Sequence, residues 1–265
     1  MIYFCPTPIG NLKDITVRTE EVLRECDEVY AEDTRVTLKL LNYLNIKKPV
    51  YTYHKFNEKK AAEDILNKRD MNIAVVSDAG MPGISDPGYE LINLLIKNEI
   101  PYTVLPGASA FTVALVASGF NNNRFLFAGF LDQKSGKRRR ELEELKDIKD
   151  TLIFYEAPHR VTEFLEDALE IFGNRKIFIA RELTKHFEEY IHTDLKEASA
   201  EGFLTLKGEF VIVIEGNSEE IEYDLEQLLA DKIGEGMSKS KAVKEIAKEY
   251  GISKNELYQK SLEME

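Results

Sequence analysis

The chain of 265 residues has little cysteine, little histidine and no long apolar run. Its two cysteines, Cys5 and Cys26, fall in a strand-like and a helix-like segment. That excludes a disulfide framework and fits reduced, buried thiols in a cytoplasmic protein. Two cysteines and four scattered histidines offer no zinc spacing, so no metal site is expected. No apolar stretch approaches the roughly 20 residues that span a bilayer. The N-terminus runs straight into the strand-like Ile2-Tyr3-Phe4-Cys5, which predicts neither a signal peptide nor a membrane partner. Positive charge is scarce too: 35 Lys and Arg against 47 Asp and Glu leave a net charge of −12, which argues against a general nucleic-acid binder. A local basic patch remains, because Lys134, Lys137, Arg138, Arg139 and Arg140 crowd into seven residues.

What is present is an alternation of strand-like and helix-like segments. Strands are expected at 2–6, 28–32, 49–53, 72–78 and 102–106, with helices at 14–26, 35–44, 57–69 and 87–97 between them and another at 108–118. Strands separated by helices of this length predict a parallel sheet of βαβ units. From Phe125 the texture shifts: strands at 125–130, 151–156 and 176–182 still alternate with helices, but 189–194 and 209–215 read as neighbouring strands. A mixed second sheet follows. The Gly119–Arg124 stretch, with one Gly and three Asn, marks the boundary. The tail reads as helices at 224–233, 239–250 and 254–262, with Ser238 and Ser253 at N-cap positions and Gly251 at a C-cap. The expected organisation is an N-terminal α/β domain over 1–119, a second α/β domain over 120–218 and a helix-turn-helix-like tail over 219–265.

Three loops follow strands, where open α/β sheets collect their ligands. They are Thr7-Pro8-Ile9-Gly10-Asn11, the segment from Asp78 to Gly88, and Pro106-Gly107-Ala108-Ser109-Ala110. The first holds one glycine rather than a dinucleotide fingerprint, and no Walker pattern exists. The loops hold no Lys or Arg, and Asp78 and Asp86 suit ribose hydroxyls or an amine. A phosphate-free ligand bearing positive charge fits them best.

These loops, with Ala31-Glu32-Asp33-Thr34-Arg35, Phe154-Tyr155-Glu156-Ala157-Pro158-His159-Arg160 and Arg181-Glu182-Leu183-Thr184-Lys185, resemble the RsmI-type 16S rRNA 2′-O-methyltransferases of the tetrapyrrole methylase superfamily. The resemblance implies two α/β domains with S-adenosylmethionine in the cleft between them, a homodimer, and a substrate of 16S rRNA or the assembled small ribosomal subunit. The methylated position would be cytidine 1402 near the decoding site. By position, the cofactor residues implied are Pro8, Ile9, Gly10 and Asn11, then Asp78, Ala79, Gly80, Met81 and Ile84, then Ser109 and Ala110. Tyr155, Glu156, Leu183, Gly208 and Glu209 match from the second domain. The chain departs from the pattern at Met81, Asp132 and Ala157, where Thr, Pro and Ser are expected. A carbon methyltransferase acting on a tetrapyrrole precursor is the alternative, but its Gly-x-Gly-Pro-Gly-Asp first loop is absent.

A ribose hydroxyl is a poor nucleophile, so the site needs a group to take its proton or steady the oxyanion. Glu156, His159, Lys185 and Arg181 are the catalytic candidates, and Arg35, Arg160 and the basic run Lys134, Lys137, Arg138, Arg139 and Arg140 the candidate RNA contacts. Each has a plainer role open to it. Glu156 and His159 suit a helix cap near Pro158, Arg181 with Glu182 suits an ion pair between domains, Lys185 suits a solvent-facing strand end, and the basic run suits a solvated helix start.

Overall fold

The computed structural model describes residues 1–218, 225–250 and 253–263. Residues Met1–Asn217 form one compact unit and Ser218–Glu265 another.

The first unit holds two five-stranded sheets. In the first, β1 (Ile2–Cys5), β2 (Glu28–Ala31), β3 (Val50–Thr52), β4 (Ile73–Val76) and β5 (Tyr102–Val104) lie in the order β3-β2-β4-β1-β5, all parallel. Helices cover both faces, as a parallel sheet requires. Alternate residues serve alternate faces. Ile2, Phe4, Tyr30, Ile73 and Val75 pack under α3 (Glu58–Asn67) and α4 (Tyr89–Lys97), and Cys5, Val29, Ala31, Ala74 and Val76 pack under α1 (Val17–Glu25) and α2 (Thr34–Tyr43). Thr16 caps α1, its side chain accepting from Thr19 N–H at 3.1 Å, which starts that helix later than expected and leaves Leu12–Asp14 as a separate 3₁₀ turn.

The second sheet comprises β6 (Phe125–Gly129), β7 (Thr151–Glu156), β8 (Lys176–Arg181), β9 (Glu189–Asp194) and β10 (Phe210–Ile214) in the order β6-β7-β10-β8-β9. It is mixed, as expected: β6 and β7 run parallel, and β10 is antiparallel to β7 and to β8. The expected pairing of the last two strands does not occur. The wholly buried Phe-Val-Ile-Val-Ile of β10 takes the centre, whereas the half-exposed Glu-Tyr-Ile-His-Thr-Asp of β9 lies at the edge beside β8. An all-apolar strand needs cover on both faces, and an alternating one does not.

One face of this sheet packs on α6 (Ser135–Leu145) and α7 (Val161–Phe172) through Leu142, Phe164, Leu165 and Ala168. The other face (Ile153, Phe178, Ala180, Val211, Val213) buries Ala114 and Leu115 of α5 (Ala110–Ser118). So the helix that leaves the first sheet packs on the second, and the expected boundary at 119 divides the strands but not the packing.

The second unit has its own core. In it Leu229 of α9 (Leu225–Gly234), Ala242, Val243 and Ile246 of α10 (Lys239–Tyr250) and Leu257 of α11 (Lys254–Glu263) come together; the short α8 (Leu195–Ala198) belongs to the first unit. The Ser238 and Ser253 carbonyls accept the first helical bonds of α10 and α11, from Ala242 N–H at 2.9 Å and Leu257 N–H at 3.1 Å. Gly251 and Asp224, expected to close one tail helix and open another, lie outside the described residues.

Candidate active site

The loops after β1 and β4 are joined. Thr7 and Gly80 exchange backbone hydrogen bonds at 2.9 and 3.0 Å, Thr7 Oγ1 donates to the Ser77 carbonyl at 3.1 Å, and Ser77 Oγ donates to the Gly80 carbonyl at 3.0 Å. Gly80 sits at φ 81°, a conformation glycine adopts without strain. The first loop is gripped from the other side by the segment after β8. A Cβ on Gly10 would lie 2.6 Å from the Leu183 carbonyl oxygen, and Asn11 N–H donates to Thr184 Oγ1 at 3.0 Å. That segment is itself held in unusual backbone, with Glu182 at φ 53° and Thr184 at φ 64°. The Glu182 carboxylate ties it down, accepting from Lys185 Nζ at 2.7 Å and Glu209 N–H at 3.0 Å.

These contacts enclose a cleft of about 460 Å³ between the two sheets. Ile9, Ala110, Tyr155, Leu183 and Val211 give it apolar surface, and Glu32, Asp78 and Asp86 give it acid. Among the described residues no Lys, Arg or His lines it. The three carboxyls titrate high. Burial, then the charges of Glu32 and Asp78, push Asp86 up to about 7. Burial and then Asp78 raise Glu32. Burial raises Asp78 although it accepts the Asp33 N–H at 2.9 Å. Each is an anion partly out of water beside other anions, and a bound cation would relieve all three. Tyr155 donates no charge here: burial holds its phenol up at about 12, and its oxygen accepts the Phe111 N–H at 3.1 Å.

Beside the cleft, and sharing Phe130 and Ala157 with it, runs an open groove of about 710 Å³ whose lining includes Lys134, His159 and Arg160, with Asp132 and Glu141 opposite in charge.

Comparison with known proteins separates the readings this geometry permits. Residues 1–199 match the family model of tetrapyrrole (corrin/porphyrin) methylases, and residues 219–265 match that of the RsmI C-terminal helix-turn-helix domain. The chain belongs to the tetrapyrrole methylase family. Curated relatives named ribosomal RNA small subunit methyltransferase I are 43% identical in Halalkalibacterium halodurans (97% of this chain, 93% of that protein) and 40% identical in Bacillus subtilis (97% and 92%). The relative of that name from Synechocystis is 41% identical over 100% of this chain and 98% of its own. Among solved structures, diphthine synthase overlays with a TM-score of 0.63 at 14% identity, covering 81% of this chain and 89% of that one. Uroporphyrin-III C-methyl transferase from Thermus thermophilus, complexed with S-adenosylhomocysteine, overlays at 0.59 and 18% identity, covering 81% and 96%. The tetrapyrrole methylase fold of two α/β sheets with a helical tail is thus confirmed.

Within this tetrapyrrole methylase, the expected cofactor residues divide into two groups. Ile9, Asp78, Ala79, Ile84, Ala110, Tyr155, Glu156, Leu183 and Glu209 line the cleft. Pro8, Gly10, Asn11, Gly80, Met81, Ser109 and Gly208 do not; they shape the loops behind it. The Asn11 side chain accepts from Lys13 N–H at 3.1 Å, and Gly208, at φ 87°, leaves room for the Glu182 carboxylate. Glu32 and Phe130 line the cleft without having been singled out as site residues, and Asp86, expected only as an acceptor for a ribose or an amine, lines it with them. Their loops were conspicuous, but nothing in the sequence brings the ends of β2 and β6 to the same place.

Three of the catalytic candidates do not line the cleft. Arg181 is buried and bound to Glu189 at 2.7 Å and to the Lys207 carbonyl at 3.1 Å, not to Glu182, and does not line the cleft. Lys185 is paired with Glu182 at 2.7 Å and Glu209 at 3.0 Å. Burial pulls its pKa down, but these bonds outweigh burial and raise it. His159 is exposed and faces the groove rather than the cleft. Glu156 does line the cleft, but its carboxylate is taken up by Arg160 at 3.0 Å and by Ala157 N–H at 3.1 Å, and burial raises its pKa against the pull of Arg160.

The basic run divides into paired and exposed cations. Arg138 is only 1% exposed, its Nε donating to Asp167 at 2.7 Å and its Nη2 to Glu163 at 3.3 Å. Arg139 is bound to Asp167 at 2.9 Å and to Glu170. Both fasten α6 to α7 and are not free for phosphate. Lys134, Lys137 and Arg140 are exposed, Lys137 lying 3.3 Å from Asp132. Arg160 spends its guanidinium on Glu156 and on the Leu131 carbonyl at 2.8 Å. Arg35 stays exposed and bound to Asp33, whose carboxyl it holds down at about 2.

Proposed function

We propose that this protein transfers a methyl group from S-adenosylmethionine to the ribose 2′-hydroxyl of a cytidine near the decoding site of 16S rRNA, acting in the cytoplasm as a homodimer on the assembled small subunit. The observation that carries the reading is identity of 40–43% across nearly the whole chain with three proteins named for small-subunit rRNA methylation.

The cleft suits that donor. When bound, S-adenosylmethionine supplies a methyl group carried on a sulfonium. A cleft lined by five carboxylates and no cationic residue favours a sulfonium and an ammonium over a phosphate. Ile9, Ala110, Leu183 and Val211 exclude water around it, and Asp78, Glu32 and Glu209 offer acceptors to hydroxyl and amine groups.

Methyl transfer asks two things of the protein: alignment, and a home for the proton. Alignment comes from the interlocked loops around Gly10 and Gly80, and is worth about 7–11 kcal/mol in the best intramolecular cases. The proton goes to Asp86. Its carboxyl lines the cleft, accepts no hydrogen bond among the described residues, and has a pKa near 7, where a general base works best. The Asp86 oxygen takes the proton as the ribose oxygen gains the methyl group. Radiolabelled S-adenosylmethionine and small subunits from a strain lacking the enzyme test this. Label in a single alkali-resistant dinucleotide is the expected result, because a 2′-O-methyl group protects the adjacent phosphodiester. Label that alkali releases as mononucleotide would overturn the ribose assignment.

A further inference from the structure

We propose that Phe130 is the stacking platform for the acceptor nucleobase, and that the groove beside it carries the acceptor strand; this rests on the ribose-methylation reading above. Phe130 directly follows β6, at the junction of the two cavities, lining both the acidic cleft and the open groove. The residue is 55% exposed, and its ring meets the Tyr155 ring edge-on, centroids 5.4 Å apart at 64°. That contact fixes the ring's orientation while leaving the rest of it uncovered. Exposed aromatics are not rare on this surface, and Phe56 is more exposed still, but Phe56 lines neither cavity.

The charge distribution says which part of a nucleotide goes where. The cleft presents Glu32, Asp78 and Asp86 and repels phosphate. The groove holds the exposed Lys134 beside Asp132 and Glu141, with Arg160 paired to Glu156, and as the less acidic of the two cavities is the better place for it. An RNA backbone therefore follows the groove, and only an uncharged sugar edge turns in toward Asp86. A nucleotide in that position is out of its stack, and its base needs a replacement partner. Proteins that read unstacked RNA bases supply an aromatic face for them. Phe130 lies between the groove and the cleft, where such a base is left.

Three Phe130 variants test this: Phe130→Ala, Phe130→Leu and Phe130→Tyr, each assayed for S-adenosylmethionine binding by calorimetry and for methylation of small subunits. The expected result is unchanged cofactor affinity in all three, at least a tenfold loss of kcat/KM in the Ala and Leu variants, and retention in Tyr, which keeps the π face. A photo-crosslinking p-benzoylphenylalanine at position 130 should attach to the methylated nucleotide or its immediate neighbour, read as a reverse-transcription stop. Full activity in Phe130→Leu, a crosslink elsewhere in the RNA, or a cofactor affinity that falls in parallel with activity would overturn the proposal, the last by showing that the ring packs on the cofactor. If the unaltered enzyme fails to label small-subunit RNA, the functional reading itself fails and takes the platform with it. An active enzyme with insensitive variants sinks the platform alone.

Discussion

The Tyr155 hydroxyl, on the second sheet, accepts a hydrogen bond from the backbone N–H of Phe111 at 3.1 Å, and so caps the helix that leads out of the first sheet. Ser109, the residue at the ordinary capping position, makes no side-chain cap of its own. One side chain thus closes a helix N-terminus and lines the cleft. Tyr155→Phe should cost about 1 kcal/mol of stability, the usual worth of a lost cap, read as a lowered midpoint in urea. Cofactor affinity should fall with it, because Ala110 lines the cleft on the same helix turn.

Asp86 makes the activity pH-dependent. Its pKa is raised from 3.8 to about 7, so at pH 6 most of the carboxyl is protonated and unable to accept a proton. The kcat/KM for the cofactor, which reports the free enzyme, should rise with pH through about 7 and then level off. Asp86→Asn should flatten that rise and lower kcat by 10²–10⁴-fold, the usual range for a lost general base, while cofactor binding persists. Stability should respond in the opposite direction. A raised folded-state pKa means the folded chain holds the extra proton, so Asp86's contribution is present below about 3.8 and lost as pH rises through about 7. The Asp86→Asn variant should therefore lose less stability than the parent between pH 5 and 8.

Gly10 is the tightest point of the interlock. Any side chain there meets the Leu183 carbonyl and Thr184 Oγ1, each 2.6 Å from a built Cβ. Gly10→Ala should push the first loop away from the Leu183–Thr184 segment and cost about 1–3 kcal/mol, the ordinary penalty of overpacking. Calorimetry should show cofactor affinity reduced by more than the loss of stability explains, since Ile9 and Leu183 both line the cleft.

The basic run predicts two separable phenotypes. Arg138→Ala leaves the Asp167 carboxylate with Arg139 as its remaining guanidinium partner and should destabilise by about 3 kcal/mol, the low end for breaking a buried pair. Lys134→Ala combined with Arg140→Ala should leave the melting temperature unchanged and weaken binding to the small subunit. The slope of log affinity against log salt should become shallower by about 1.4, at ~0.7 for each lost contact to single-stranded phosphate.

The alternation of apolar strands and amphipathic helices made both sheets legible, and Gly and Pro at strand ends made the loops legible. What stayed hidden depends on meetings between distant segments. The central place of β10 follows from its uninterrupted apolar run, a signal that was present but is outweighed by chain proximity when Glu189–Asp194 precedes it so closely. Arg138 looked like Arg140 because a guanidinium's burial depends on the acids of α7, which no local pattern announces. Asp86 was legible as an acceptor for an amine or a ribose, but its high pKa arises from burial in the cleft and then from Glu32 and Asp78, which the ends of β2 and β4 bring beside it.

The measurement that tests the central claim most directly is nucleoside mass spectrometry of small-subunit rRNA from cells lacking this protein, complemented with the parent chain or with Asp86→Asn. The account predicts that the parent restores one methylcytidine whose fragmentation leaves an unmodified base, with the methyl on the ribose, and that Asp86→Asn restores little or none. A methyl group found on the base, or rRNA identical with and without the protein, would contradict it.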